Sequence, residues 1–116
     1  MVRVHPDKVA YVTSDGNYST MVLVNKDEHL FTINLGAIER LIEEQLGTDA
    51  EVFIRLGKSL IINSRFIYYI NVSKQQLILS DSLFMNQFTL SASKEALKAL
   101  KSMLEEQLKN NKSESR

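Results

Sequence analysis

Gly57-Lys58-Ser59 is the stretch whose residue types best suit chemistry, because it sits between two apolar runs, Phe53-Ile54-Arg55-Leu56 and Leu60-Ile61-Ile62-Asn63. Those runs are rich in β-branched and aromatic residues that fill a sheet, so the polar insert projects from a buried scaffold. Gly57 permits a kink or bulge at that point. A cationic tip beside a hydroxyl is suited to a polyanion; the plain alternative is a solvated hairpin turn. The insert is not a nucleotide-binding phosphate loop. That motif needs a glycine five residues earlier, where Val52 stands, and a helix after it, where Leu60-Ile61-Ile62 reads as strand. Nucleotide hydrolysis is excluded.

Other chemistry is sparse. His5 and His29 stand alone in sequence, with no partner at metal-ligand or catalytic spacing, and are expected on the surface. Ser59 has no base nearby in sequence, and no Ser/His/Asp grouping appears. Glu39, Glu43 and Glu44 occupy the solvated face of a helix. Tyr68 and Tyr69 resemble base-stacking aromatics, but strand alternation sends one inward and one outward, which explains them structurally. The expectation is therefore no enzyme, no metal, no cofactor and no small-molecule substrate.

The elements that must position the insert come from a chain of 116 residues, enough for one domain with one modest core. No apolar run is long enough to span a bilayer, and Met1-Val2-Arg3-Val4-His5-Pro6 lacks the apolar region of a secretory signal. The absence of cysteine fits a reducing cytoplasm. Formal net charge is zero, yet the charges are segregated. Asp27, Glu28, Glu39, Glu43, Glu44, Asp49 and Glu51 face only Arg40 in one stretch, whereas Arg55, Lys58, Arg65 and Lys74 follow without an acid. Lys94, Lys98 and Lys101 add a later basic group. A neutral chain with a positive face is the implied result.

Residues 8–13 read as a strand, after a short initial strand at Val2-Arg3-Val4 that Pro6 ends. Ser14-Asp15-Gly16-Asn17 is a strong turn signal, and strands follow at 18–24 and 29–33, separated by a turn at Asn25-Lys26-Asp27-Glu28. Asn34 caps a helix over Leu35–Leu46, with Leu35, Ile38, Leu41, Ile42 and Leu46 on one face and Gly47 at its end. Beyond the key stretch, strands are expected at 66–72, 77–79 and 84–90, with turns at Ser73-Lys74-Gln75 and Ser80-Asp81-Ser82. Ser91 or Ser93 caps a last helix lined by Leu97, Leu100, Leu104 and Leu108, and residues 109–116 form a polar, disordered tail.

This order of elements resembles the LytTR family, the DNA-binding output domain of LytR/AlgR-type bacterial response regulators, over roughly Asp7 to Leu104. The residues that carry the likeness are Val9-Ala10-Tyr11-Val12-Thr13-Ser14-Asp15-Gly16-Asn17-Tyr18-Ser19 and Phe53 to Asn63. Ile67-Tyr68-Tyr69-Ile70 and Leu77-Ile78-Leu79-Ser80 follow downstream. The resemblance implies a β-rich α+β fold of small, mostly antiparallel sheets in a single domain, residues 1–108. It implies double-stranded DNA bound in the major groove by loops, often by two copies on paired half-sites. Such domains usually follow a receiver domain or a membrane segment. This chain shows neither, which implies a stand-alone regulator or an excised domain.

Carried over residue by residue, the first family contact loop falls on Ser14 to Ser19, where Asn17 and Tyr18 are placed to reach DNA. Asp15-Gly16-Asn17 making only a hairpin is the alternative there. The second loop, a His-Arg-Ser or His-Asn-Ser element in the family, is Gly57-Lys58-Ser59; the histidine is missing and Lys58 keeps the cation. Arg55 matches a family arginine, with an acid such as Glu51 as its competing partner. The third contact precedes the last helix, where Ala92 and Ser93 replace arginines and leave Ser93 and Lys94 as a phosphate clamp at a helix N-terminus. The expected function is a cytoplasmic, sequence-selective transcription regulator. The competing class is a protein-interaction module on the same scaffold, its DNA contacts lapsed.

Overall fold

The computed structural model describes residues 3–81, 83 and 85–114, with side chains through residue 109. Strands β1 (Val9–Asp15), β2 (Tyr18–Leu23) and β3 (Glu28–Phe31) lead into helix α1 (Leu35–Leu46). A 3₁₀ segment (Gly47–Val52) then joins β4 (Phe53–Leu56) and β5 (Leu60–Asn63). A second 3₁₀ turn (Ser64–Phe66) opens onto β6 (Ile67–Asn71), β7 (Gln76–Ser80), β8 (Gln87–Ser91) and helix α2 (Lys94–Glu114). One sheet has the order β3-β2-β1-β5-β4 and the other β6-β7-β8. Every pairing is antiparallel, in keeping with the β-rich fold the sequence implied.

The five-stranded sheet is the middle layer. Its period-2 alternation sends Val9, Val12, Met21 and Ile61 to one face, where Leu35, Ile38 and Ile42 of α1 cover them. Ala10, Val22, Leu60 and Ile62 point the other way, onto Leu77, Leu79 and Phe88 of the small sheet and Leu97 and Leu100 of α2. A register shift between Val9 and Tyr11 breaks the alternation once and turns both Ala10 and Tyr11 toward the small sheet. Each fully buried Leu or Ile contributes about 1.5–3 kcal/mol of transfer free energy, so the fold rests on these two apolar layers.

Helix α1 starts and stops where its sequence dictates. Asn34 Oδ1 accepts a 2.9 Å hydrogen bond from the Ala37 N–H, and the Gly47 N–H closes the other end on the Glu43 carbonyl. For α2 the cap is Ser93, whose Oγ accepts from the Ala96 N–H at 3.1 Å. Its backbone is helical to Glu114. No glycine or proline interrupts that segment.

Some expectations are corrected. Arg3 and Val4 are not in a strand, and Val2 lies outside the described residues. β3 ends at Phe31 rather than residue 33. The last strand begins at Gln87; Phe84 and Ser82, assigned to that strand and to the preceding turn, lie outside the described residues. Tyr68 and Tyr69 do not split between core and surface, for both are exposed. A second register shift, between Ile67 and Tyr69, places these consecutive residues on the outer side.

Candidate nucleic-acid interface

The two turns singled out in the sequence arise in different hairpins and meet at one end of the five-stranded sheet. β1 runs into Gly16-Asn17 and returns as β2, with Asp15 opposite Tyr18. Gly16 has φ +62° and Asn17 a negative φ, the pattern of a type II′ turn that follows the twist of its strands. β4 runs into Gly57-Lys58-Ser59 and returns as β5, with Leu56 opposite Leu60. Gly57 takes φ +67°, and a Cβ there would meet nothing within 4 Å, so backbone conformation rather than space demands glycine. Because β1 and β5 are antiparallel neighbours with Thr13 opposite Leu60, both turns emerge together. The Ser14 N–H donates to the Ser59 carbonyl at 2.9 Å and ties one turn to the other.

Asn17, Tyr18, Lys58 and Ser59 are all exposed at this end. Among the described residues none of their side chains has a hydrogen-bond or ion-pair partner. Arg55 is differently placed. Its guanidinium pairs with Glu39 of α1 at 3.2 Å and donates to the carbonyls of Gly57 (3.3 Å) and Lys58 (3.4 Å). Alternation puts Arg55 on the α1 face, so its acid is Glu39 and not Glu51. It braces the turn from behind while Lys58 stays free.

The third expected group lies at the start of α2, the helix that packs beside β4. A cleft along Ile54 to Gly57 is walled on its other side by Ala96, Ala99, Leu100 and Met103 of α2, whose first residue is Lys94. Ser93 and Lys94 are exposed, but the Ser93 oxygen already caps the helix. The Ala92 N–H is also engaged, donating to the Gln75 carbonyl at 3.3 Å. What this corner offers an anion is the Lys94 charge and the remaining N–H groups of the first helical turn.

Sequence reasoning missed a fourth segment at the same end. Phe31 is paired with Ser19, so β3 delivers Thr32, Ile33 and Asn34 next to the first turn. The buried Ser19 hydroxyl donates to the Ile33 carbonyl at 2.7 Å and fixes that approach. The only signal in the sequence was the α1 cap itself. The charge balance at this end is mixed: Lys58 has no ion-pair partner among the described residues, Arg55 is neutralised by Glu39, and Asp15 is exposed beside Asn17.

Among the described residues no group of histidines and carboxylates is arranged to hold a metal ion, and no helix is long and apolar enough to cross a membrane. A family model described as the LytTr DNA-binding domain matches residues 1–105. No curated protein matches the sequence. Among solved structures, the chain is similar to the LytTr DNA-binding domain of a protein described as a putative methyl-accepting/DNA response regulator from Bacillus cereus. That match has a TM-score of 0.58 at 19% identity and covers 87% of this chain and 84% of the other. At this identity the likeness is one of fold.

Proposed function

The chain belongs to the LytTR family of DNA-binding domains, and we propose that it is a bacterial, cytoplasmic transcription regulator that reads duplex DNA through its turns. In this reading it is the output module of a two-component response regulator and acts as a pair of copies on paired half-sites. The observation that supports it most is the convergence of the Gly16-Asn17 and Gly57–Ser59 turns, joined by the Ser14–Ser59 hydrogen bond. The hairpin axes are two strand spacings apart, about 10 Å, which matches a major groove about 12 Å wide. Asn17 and Lys58 then address one groove together. Asn17 presents the amide that pairs bidentately with adenine, and the Tyr18 hydroxyl suits a phosphate.

Lys58 supplies a point charge without the fork of an arginine, so it favours guanine or phosphate with modest discrimination. Arg55 keeps the turn in shape. Lys94, with Ser93 at the helix N-terminus, adds a phosphate contact that positions the protein without reading bases. The protein-interaction reading draws on the replacement of the family arginines by Ala92 and Ser93 and on Asp15 at the tip.

Fluorescence-anisotropy titration with pooled short duplexes at several salt concentrations separates the two. The expected outcome is binding whose logarithm falls linearly with log salt, by about 0.9 per phosphate neutralised, followed by enrichment of a site from the bound pool. No binding at low salt overturns the DNA reading in favour of a protein partner.

A further inference from the structure

At the far end of the five-stranded sheet from the two turns lies a small concavity of about 80 Å³, lined by Arg3, His5, Lys8, Val9, Met21, Leu23 and His29. Its polar lining side chains, Arg3, His5, Lys8 and His29, are all basic, and no acid is among the described residues that line it. We propose that this concavity is a binding site for the phosphate group of a small molecule, held by Arg3, His5, Lys8 and His29. Liquid water occupies about 30 Å³ per molecule, so the space suits a group of a few heavy atoms, the scale of one phosphate. Val9, Met21 and Leu23 form an apolar floor, and charge-assisted hydrogen bonds to a dianion are strengthened where water is partly displaced.

The backbone that carries the donors is held in position. Val4 is buried under α1, and its N–H donates to Gln45 Oε1 at 2.7 Å. The Lys8 N–H donates to the His5 carbonyl at 3.0 Å and closes a turn around Pro6. Asn63, fully buried in β5, donates to the carbonyls of Pro6 and Val9 and locks that turn to the sheet. His29 comes from β3, where it stands opposite Met21 and therefore on the same face. The two histidines, isolated in sequence, thus wall one cavity.

Asp7, between Pro6 and Lys8, is exposed and is not among the residues that line the concavity, and the acids of the β2–β3 turn point elsewhere. Glu28 stands opposite Val22, on the small-sheet face, and its charge acts on Tyr11, whose hydroxyl is pushed up from its ordinary value first by burial and then by Glu28. Asp27 accepts from the Asn25 amide in the adjoining turn. Arg3 and His5 also wall a larger groove of about 570 Å³ with Val4, Pro6, Leu41 and Leu46, where the body of a phosphate ester has room; Glu44 is the acid on that side.

The test is a titration of the whole chain with inorganic phosphate, followed by amide ¹⁵N–¹H NMR at constant ionic strength, with acetate in a parallel series. Saturable shifts confined to residues 3–8, 21–23 and 28–30 are expected, with acetate at least tenfold weaker. His29→Ala and Arg3→Ala should each weaken phosphate about tenfold; both residues are exposed, so the fold is retained and the spectrum itself reports it. Absence of saturation, shifts spread equally over Lys58 and Lys94, equal affinity for acetate, or indifference to both variants each overturns the assignment. Because the DNA-facing turns are at the opposite end, a failure here leaves the anisotropy result untouched, and the reverse holds.

Discussion

The two ends of the five-stranded sheet use polar residues in opposite ways. At the end where the N-terminal segment docks, Asn63 is fully buried and every polar atom of its amide has a partner: Nδ2 donates to Pro6 and Val9, and Oδ1 accepts from the Arg65 N–H at 3.0 Å. At the other end Asn17 has the same amide and no partner among the described residues. The difference teaches where to look for function. A polar group satisfied inside the fold is holding the fold, and one displayed on a rigid turn without partners is available to a ligand.

Breaking that contrast should have its largest effect at the buried end. Asn63→Ala removes two donors and an acceptor at once and leaves the Pro6 and Val9 carbonyls and the Arg65 N–H without them. A loss of about 3 kcal/mol is expected from several unmet buried polar groups. Urea denaturation monitored by circular dichroism measures it. A loss below about 1 kcal/mol would mean that water replaces the amide and that the N-terminal segment is not locked as described.

The next effect is at the open end and acts through the backbone. Gly57→Ala forces a side chain into φ +67° with space around it, so the cost is conformational, about 1 kcal/mol, with no clash added. The same denaturation assay reads the stability change. Fluorescence anisotropy should also show weaker DNA binding, because the turn presenting Lys58 is reshaped. Unchanged stability would place the positive φ outside the energetics of the turn.

How much of this was legible in the sequence depended on the range of the interaction. α1 was readable at both ends because cap, apolar period and closing glycine are local signals that agree at Asn34, Leu35–Leu46 and Gly47. The turns at Gly16 and Gly57 were readable for the same reason. The bulges near Ala10 and Tyr68 were not, since a register shift is set by the partner strand and leaves no mark in the run itself. Proximity in sequence pointed Arg55 toward Glu51, whereas the face of β4 carries it to Glu39. His5 and His29 looked unrelated because only the β2–β3 pairing and the docked N-terminal segment bring them to one cavity.

Arg55 sharpens the comparison, being an open-end side chain that is tied down. Arg55→Gln removes an exposed ion pair worth about 0.5 kcal/mol and two long hydrogen bonds to the turn carbonyls. Stability should therefore barely change, while DNA affinity falls because the Lys58 turn loses its brace. Glu39→Gln keeps the carbonyl contacts and breaks only the charge pair, so it should preserve binding. Equal loss of affinity in both variants would point to a direct role for the pair's charge and not to bracing.

Lys58→Ala is expected to have the smallest effect on folding and to be the cleanest probe of the open end. Lys58 is exposed and has no partner among the described residues, so denaturation should register a change within about 0.5 kcal/mol. DNA affinity should drop nonetheless, and the form of the drop distinguishes two roles. If Lys58 neutralises a phosphate, affinity falls across all sequences and the salt slope decreases by about one. If it reads a base, preference at one position relaxes by about 1–3 kcal/mol and the slope stays nearly unchanged. Unchanged affinity would remove the Gly57–Ser59 turn from the interface, and the contrast between the two ends would then describe folding alone.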